Sequence, residues 1–266
     1  ALNPTGNPVV PWTWTPSTDP AGSYTSGLKG YYVKLGTTSG EDEVVSETFN
    51  APANYTTPDL TSYGSGTYYL TVRAEDNVGN SSGSVTGSVL LDITASEAPG
   101  IPSGTSPTTD TTPTWSWTAA SDAHTSVASY NVKIGTAQGG NNKLVVTNIG
   151  LALSYTPASD LTPPDGKYYL SVQAVDTVGN VSAWSEDPNG ILIDTTVPND
   201  PTGLTVDTPT NDKTPEVTWT AATDPGYPDS GSGVVDYEVQ IGTTTGTGGV
   251  KPWTSVGNIT TFDDAA

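Results

Sequence analysis

From Tyr68 to Ala74 the apolar side chains Tyr68, Leu70, Val72 and Ala74 fall at every second position, with Thr71, Arg73 and Glu75 interleaved. A period of two places alternate residues on opposite faces, so this segment predicts a strand with one buried side. Tyr168, Leu170, Val172 and Ala174 repeat the pattern, and shorter alternations at Tyr31-Val33-Leu35, Tyr130-Val132-Ile134 and Tyr237-Val239-Ile241 predict further strands. Trp12 and Trp14, like Trp115 and Trp117, stand two apart, which directs both rings of each pair to one side. No segment sustains the i, i+3, i+4, i+7 spacing of an amphipathic helix. Clusters of Gly, Pro, Asp and Ser separate the alternating runs and supply turns.

The strands belong to a repeat. GTYYLTVRAEDNVGN, Gly66 to Asn80, recurs as GKYYLSVQAVDTVGN, Gly166 to Asn180, 100 residues later. WTWTPSTDP from Trp12 matches WSWTAASD from Trp115 and VTWTAATDP from Val217, while YYVKLGT, YNVKIGT and YEVQIGT begin at Tyr31, Tyr130 and Tyr237. LLDIT from Leu90 matches LIDTT from Leu192. Three copies are expected, spanning residues 1–95, 96–197 and 198–266, and the third shows no counterpart of the GxYYLxVxAxDxVGN and LxD blocks. Either that copy continues in a longer array or strands from elsewhere complete it.

Composition narrows the function. With 28 acidic against 8 basic residues the formal net charge is −20, which repels a phosphate backbone or an anionic membrane surface. Nucleic-acid binding is therefore not expected. The chain contains no cysteine and one histidine, leaving neither thiolates nor His clusters for metal or triad chemistry. Membrane insertion is not expected either, because no run approaches about 18 consecutive apolar residues. Any export or anchoring signal is expected to lie outside this chain, and the acidic, cysteine-free, Thr-rich composition suits an extracellular or cell-surface location.

Many short strands between turn clusters call for an antiparallel two-sheet sandwich, about seven strands per copy. A tryptophan on the second strand, Tyr-x-Val on the third, Leu60 or Leu161 ahead of Gly-x-Tyr, and Tyr-x-Leu-x-Val-x-Ala together resemble the fibronectin type III pattern. The D-x-x-G-N ending and the proline-bearing linkers are similar to bacterial Ig-like surface modules. The expected fold class is thus all-β, a tandem of Ig-like, fibronectin type III-like sandwiches. The resemblance implies that Tyr68 and Tyr168 form tyrosine corners, with buried rings and hydroxyls bonded to nearby backbone.

The turns at Asp76–Asn80 and Asp176–Asn180 can close through Asp and Asn side chains around a glycine of positive φ. A second reading is calcium. Asp76 and Asp92, with Asp176 and Asp194, sit at the ends of neighbouring strands beside linkers rich in carbonyls, and hard cations take several oxygens. The resemblance to bacterial surface arrays also implies calcium near the joints, whereas no EF-hand loop is present. A further acidic loop follows the tryptophan strand, with Asp19, Asp122, and then Asp224, Asp229 and Asp236, and reads as a turn. With 28 acids, chance pairs are inevitable and none is singled out as a glycosidase pair. His124 stands alone in a variable loop and is expected to be exposed. Trp184 and Trp253 lie outside the paired tryptophans and suit either packing or sugar stacking. Asn54, Asn80, Asn180 and Asn258 begin N-x-[ST] sequons.

Repetition with short proline-bearing linkers, Asp92 to Gly104 and Asp194 to Gly203, favours reach over a pocket. The first expectation is a non-catalytic spacer, stalk or fibre-forming segment of an exported surface protein, adhesin, sheath or filament, whose partners are neighbouring repeats. A homopolymer built by β-strand addition at the incomplete third copy belongs to that reading. The alternative is an accessory spacer or carbohydrate-contacting region of a secreted polysaccharide-degrading enzyme.

Overall fold

The computed structural model describes residues 3–19, 25–206, 208, 211, 214, 216–226, 228–247 and 249–263. In the first module, strands β1 (Pro4–Thr5), β2 (Pro11–Thr13), β3 (Leu28–Gly36), β4 (Val45–Asn50), β5 (Asn54–Thr56), β6 (Gly66–Asp76) and β7 (Val85–Leu91) form two sheets. One runs β1-β7-β6-β3-β4 and the other pairs β2 with β5. The second module contains β8 (Trp115–Ser116), β9 (Val127–Gly135), β10 (Leu144–Asn148), β11 (Ser154–Tyr155), β12 (Gly166–Asp176), β13 (Ser185–Glu186) and β14 (Ile191–Ile193). It keeps the arrangement, with β10-β9-β12-β13 opposite β11-β8 and with β14 also on β12. The third holds β15 (Thr202–Val206), β16 (Val217–Thr220), β17 (Tyr237–Ile241), β18 (Lys251–Gly257) and β19 (Thr261–Phe262), paired as β15-β16-β19 and β17-β18.

The period-two faces become the cores. Val33, Leu35, Tyr68 and Leu70 are buried in the first module, and Val132, Ile134, Tyr168, Leu170, Val172 and Ala174 in the second, where Trp115 and Trp117 close the opposite sheet. The expected tyrosine corners form: Tyr68 donates its hydroxyl to Gly64 O at 2.8 Å, and Tyr168 donates to Pro163 O. Tyr68→Phe leaves the ring in place and orphans that carbonyl, so a loss of about 1 kcal/mol is expected in chemical denaturation of the first module. An unchanged midpoint would show that the hydroxyl contributes nothing.

An aromatic pair joins the two sheets in every module. Trp14 meets Tyr31, Trp117 meets Tyr130, and Trp219 meets Tyr237, edge to face, with ring centroids 5.2, 6.0 and 5.5 Å apart. Each tyrosine hydroxyl accepts a backbone N–H, from Ser17 at 2.8 Å, Ala120 at 3.0 Å and Ala222 at 2.8 Å. Those donors stand two residues ahead of Asp19, Asp122 and Asp224, so the core fixes the start of each acidic loop.

Candidate functional site

The carboxylates gather where one module meets the next. Asp92 follows β7, and its N–H bonds Thr5 O at 2.8 Å, which ties the end of the first module to β1. Its side chain is fully buried: Oδ1 accepts from Thr94 N at 3.1 Å and Ser65 Oγ at 3.4 Å, and Oδ2 accepts across the joint from Thr125 Oγ1 at 2.7 Å. Asp122 accepts from Thr125 N at 2.7 Å and His124 N at 3.0 Å on one oxygen, and from the linker Ser96 Oγ at 3.0 Å on the other. Asp176 closes the turn after β12 by accepting from Val178, Gly179 and Asn180 N at 2.9, 2.7 and 2.9 Å. The Asn180 amide completes the joint, donating to Asp176 Oδ2 at 2.8 Å and to Asp92 O at 3.1 Å. The joint is close-packed here, since a Cβ on Gly6 would lie 3.3 Å from Val178 O.

One oxygen each from Asp92, Asp122 and Asp176 lies within 4.8 Å of the others. At an effective dielectric of about 20, charges at that spacing repel by roughly 3 to 4 kcal/mol per pair. Hydrogen bonds offset part of this; burial works against the Asp122 carboxylate, yet the Thr125 and His124 N–H groups hold its pKa below the usual range. The ion pairs of Lys29 with Glu75 and of Arg73 with Glu47 and Glu75 lie elsewhere. A cluster of carboxylate oxygens beside the Asp92 carbonyl has the donor chemistry of a hard divalent cation.

The second joint repeats this frame 102 residues on, with Asp194 and Asp224 in the places of Asp92 and Asp122. Asn199 N bonds Thr223 O at 2.8 Å, as Glu97 N bonds Ser121 O at 2.9 Å. Asp194 Oδ2 accepts from Ser232 N at 2.6 Å, and hydrogen bonding to Ser232, from its side chain first and then its N–H, holds the Asp194 pKa below the usual range against burial. Asp224 Oδ2 accepts from Gly233 N.

Of the four aspartates expected to hold calcium, the structure brings Asp92 and Asp176 together and places Asp76 and Asp194 elsewhere. Because β6 and β7 are antiparallel, with Gly66 opposite Leu91, Asp76 and Asp92 stand at opposite ends of the first sandwich. The cluster therefore forms between modules and not within one. Its third member, Asp122, reads from the sequence as a turn residue, and the signal for it is the recurrence of Asp19, Asp122 and Asp224 at matching positions.

Asp76 keeps the turn role. Its oxygens accept from Val78 N at 3.0 Å, Asn80 N at 2.8 Å and Asn80 Nδ2 at 2.8 Å. Desolvation pushes its pKa up, and these bonds outweigh it to bring the value to about 2, against an ordinary 3.8. The folded value is depressed, so the stabilisation is present above about pH 4 and is lost as pH falls toward 2. Val78 and Asn80 amide shifts are expected to titrate near pH 2; a midpoint near 4 would show that the turn does not hold the carboxylate.

His124 is exposed. Trp184 is half-buried beneath Lys133, whose Nζ sits 4.4 Å from the ring centroid, while Trp253 is 64 % exposed on the third module. Among the described residues no helix is long and apolar enough to cross a membrane.

Fold and joints define a tandem array of fibronectin type III-like sandwiches with acidic contacts between successive modules. No protein-family model matches the chain. It is 38 % identical over 248 residues to Exoglucanase A of Cellulomonas fimi, an alignment covering 88 % of this chain and 25 % of that protein. The chain thus spans about a quarter of its relative's length. Among solved structures it is similar to the chicken CNTN1 FN1–FN3 domains, with TM-score 0.33, 14 % identity, and coverage of 99 % of this chain and 85 % of that one. It is also similar to the Clostridium thermocellum CbhA fibronectin(III)-like modules, with TM-score 0.34, 16 % identity, and coverage of 71 % and 87 %.

Proposed function

We propose that this chain is a non-catalytic accessory segment of a secreted polysaccharide-degrading enzyme, acting outside the cell as a spacer between its working domains. The observation that carries the reading is the 38 % identity to Exoglucanase A along 88 % of the chain, within only 25 % of that protein. Module repetition suits a spacer: each unit adds length, and hydrogen bonds across the joint restrict its bending. The same modules would serve a stalk, sheath or filament, but the relative favours the enzyme-accessory reading.

Calcium sets the joints in this proposal. Asp92, Asp122 and Asp176 hold it at the first, where their converging oxygens suit a hard cation.

The purified chain, incubated with amorphous cellulose, is expected to release no reducing sugar and to stay in the supernatant when the polymer is pelleted. Hydrolysis would overturn the non-catalytic reading. Co-pelleting would replace the spacer role with direct sugar contact, with Trp253 as the first residue to test.

A further inference from the structure

The second module interrupts its last strand where the first does not. Tyr69 faces Ser88 and Leu70 faces Gly87, whereas Tyr169 and Leu170 lie between the pairs Tyr168 with Ile191 and Ser171 with Glu186, and so stand against Asp187-Pro188-Asn189-Gly190. The extra residues make a bulge between β13 and β14. Asp187 organises it. Its N–H bonds Leu170 O at 3.1 Å, its Oδ1 accepts from Asn189 N and Gly190 N at 3.0 Å each, and its Oδ2 accepts from Trp115 Nε1 at 3.3 Å. Gly190 takes a φ of 68°, and a Cβ there would lie 2.9 Å from the Tyr169 ring, so conformation and packing both require glycine. Asp187 and Gly190 are buried, while Asn189 is exposed.

No other asparagine of the chain is followed by glycine. We propose that Asn189 is a covalent modification site, converted to aspartate and isoaspartate through a cyclic imide, and that Asp187 gates the conversion. The Gly190 nitrogen attacks Asn189 Cγ. As the new C–N bond closes the imide, the Cγ–Nδ2 bond breaks, ammonia leaves and the Gly190 proton passes to solvent. A water molecule then opens the imide at either carbonyl, giving aspartate or isoaspartate. Glycine favours the first step because it carries no side chain to shield its nitrogen. The bulge borders a cleft of about 420 Å³ lined by Ser106, Lys167, Asn189 and Leu192, through which that water arrives.

The folded turn holds the attacking nitrogen back in two ways. Its N–H points at Asp187 Oδ1, and taking the proton away creates an anion beside a buried carboxylate, which like-charge repulsion disfavours. The Tyr169 ring packed over Gly190 also resists the shift that brings the nitrogen onto Cγ. Conversion therefore proceeds from the opened turn and follows its local unfolding. Either product puts a new carboxylate two residues from Asp187, and isoaspartate also lengthens the backbone inside the bulge, so the second module ages from this turn. The first module has no equivalent site, since β7 runs unbroken from Val85 to Leu91.

The test incubates the intact chain at mildly alkaline pH, folded and in urea. Peptide mass spectrometry follows the mass gain at each asparagine, and an isoaspartyl methyltransferase counts isoaspartate. In urea Asn189 is expected to convert first. In the folded chain it should convert at least about tenfold more slowly, as the loss of hydrogen bonds to a charged acceptor implies, with Gly190 N–H exchange slowed by a similar factor. Asp187→Ala is expected to bring the folded rate toward the urea rate. That variant should fold, because the Trp12 indole of the first module is buried without a hydrogen-bond partner. If it unfolds, the unsubstituted chain decides: matched slowing of exchange and conversion supports the gate, and equal folded and urea rates overturn it. Faster conversion in urea at Asn80 or Asn141 than at Asn189 would overturn the site, and a folded Asp187→Ala chain with an unchanged rate would remove Asp187 from it. None of these outcomes touches the spacer reading, which the cellulose assay decides.

Discussion

Trp115→Ala is expected to unfold the second module while leaving the first folded. The indole is 0 % exposed and packs among Tyr168, Leu170, Ile191 and Ile193, and its Nε1 donates to Asp187 Oδ2 at 3.3 Å. Truncation removes one of the two indoles of that core and leaves a cavity, a loss of about 3 to 5 kcal/mol. That is comparable with the whole stability of a small domain. Asp187 keeps the Asn189 and Gly190 N–H bonds, at 3.0 Å each, so its turn should survive the loss of the indole. In thermal unfolding the variant is expected to show an early transition of about one module's enthalpy; a single unshifted transition would mean that the core does not depend on this side chain.

Asp92→Ala carries the second large effect, and its site of action is the joint. The substitution takes an acceptor from the Thr94 N–H and from the Ser65 and Thr125 hydroxyls, two on one module and one on the next, while Thr125 Oγ1 keeps Asp122 Oδ1 at 3.3 Å and Ser65 Oγ keeps Thr94 Oγ1 at 2.6 Å. With calcium offsetting the repulsion among the three carboxylates, losing these part-buried bonds costs on the order of 1 to 2 kcal/mol in total. The expected readout is faster proteolysis within the linker from Asp92 to Gly104 and a wider spread of inter-module distances between spin labels, with both cores intact. Asp92→Asn keeps an acceptor and loses the charge, so it should hold the joint in chelator yet show no further tightening in calcium. If alanine left linker cleavage unchanged, the two modules would be articulated by packing alone.

Much of the fold was legible because the physics that shapes it is local. Alternation at Tyr68-Leu70-Val72-Ala74 dictates a one-faced strand, and recurrence 100 residues later makes a second sandwich nearly unavoidable. The tyrosine corner followed from a resemblance, and the Gly64 and Pro163 acceptors bear it out. The joint was harder to see. A sequence shows which residues recur in a module but not which end of one module meets which loop of the next, and strand direction decides that. Asp76 and Asp92 are near in sequence and separated by the length of β6, whereas Asp92 and Asp176 are 84 residues apart and share a cluster. The part of Tyr31, Tyr130 and Tyr237 in anchoring the acidic loops was also hidden. Their alternation announces a core position and says nothing about the backbone N–H at the far end of the ring.

A spacer whose acidic joints hold successive modules in fixed relation keeps its length in solution. Small-angle scattering of the intact chain, in calcium and then in chelator, tests it most directly. The expected result is an extended monomer that becomes longer or stiffer in calcium, with the change abolished by Asp92→Asn combined with Asp176→Asn. A flexible string of modules, indifferent to calcium and unaltered by the double substitution, would contradict it.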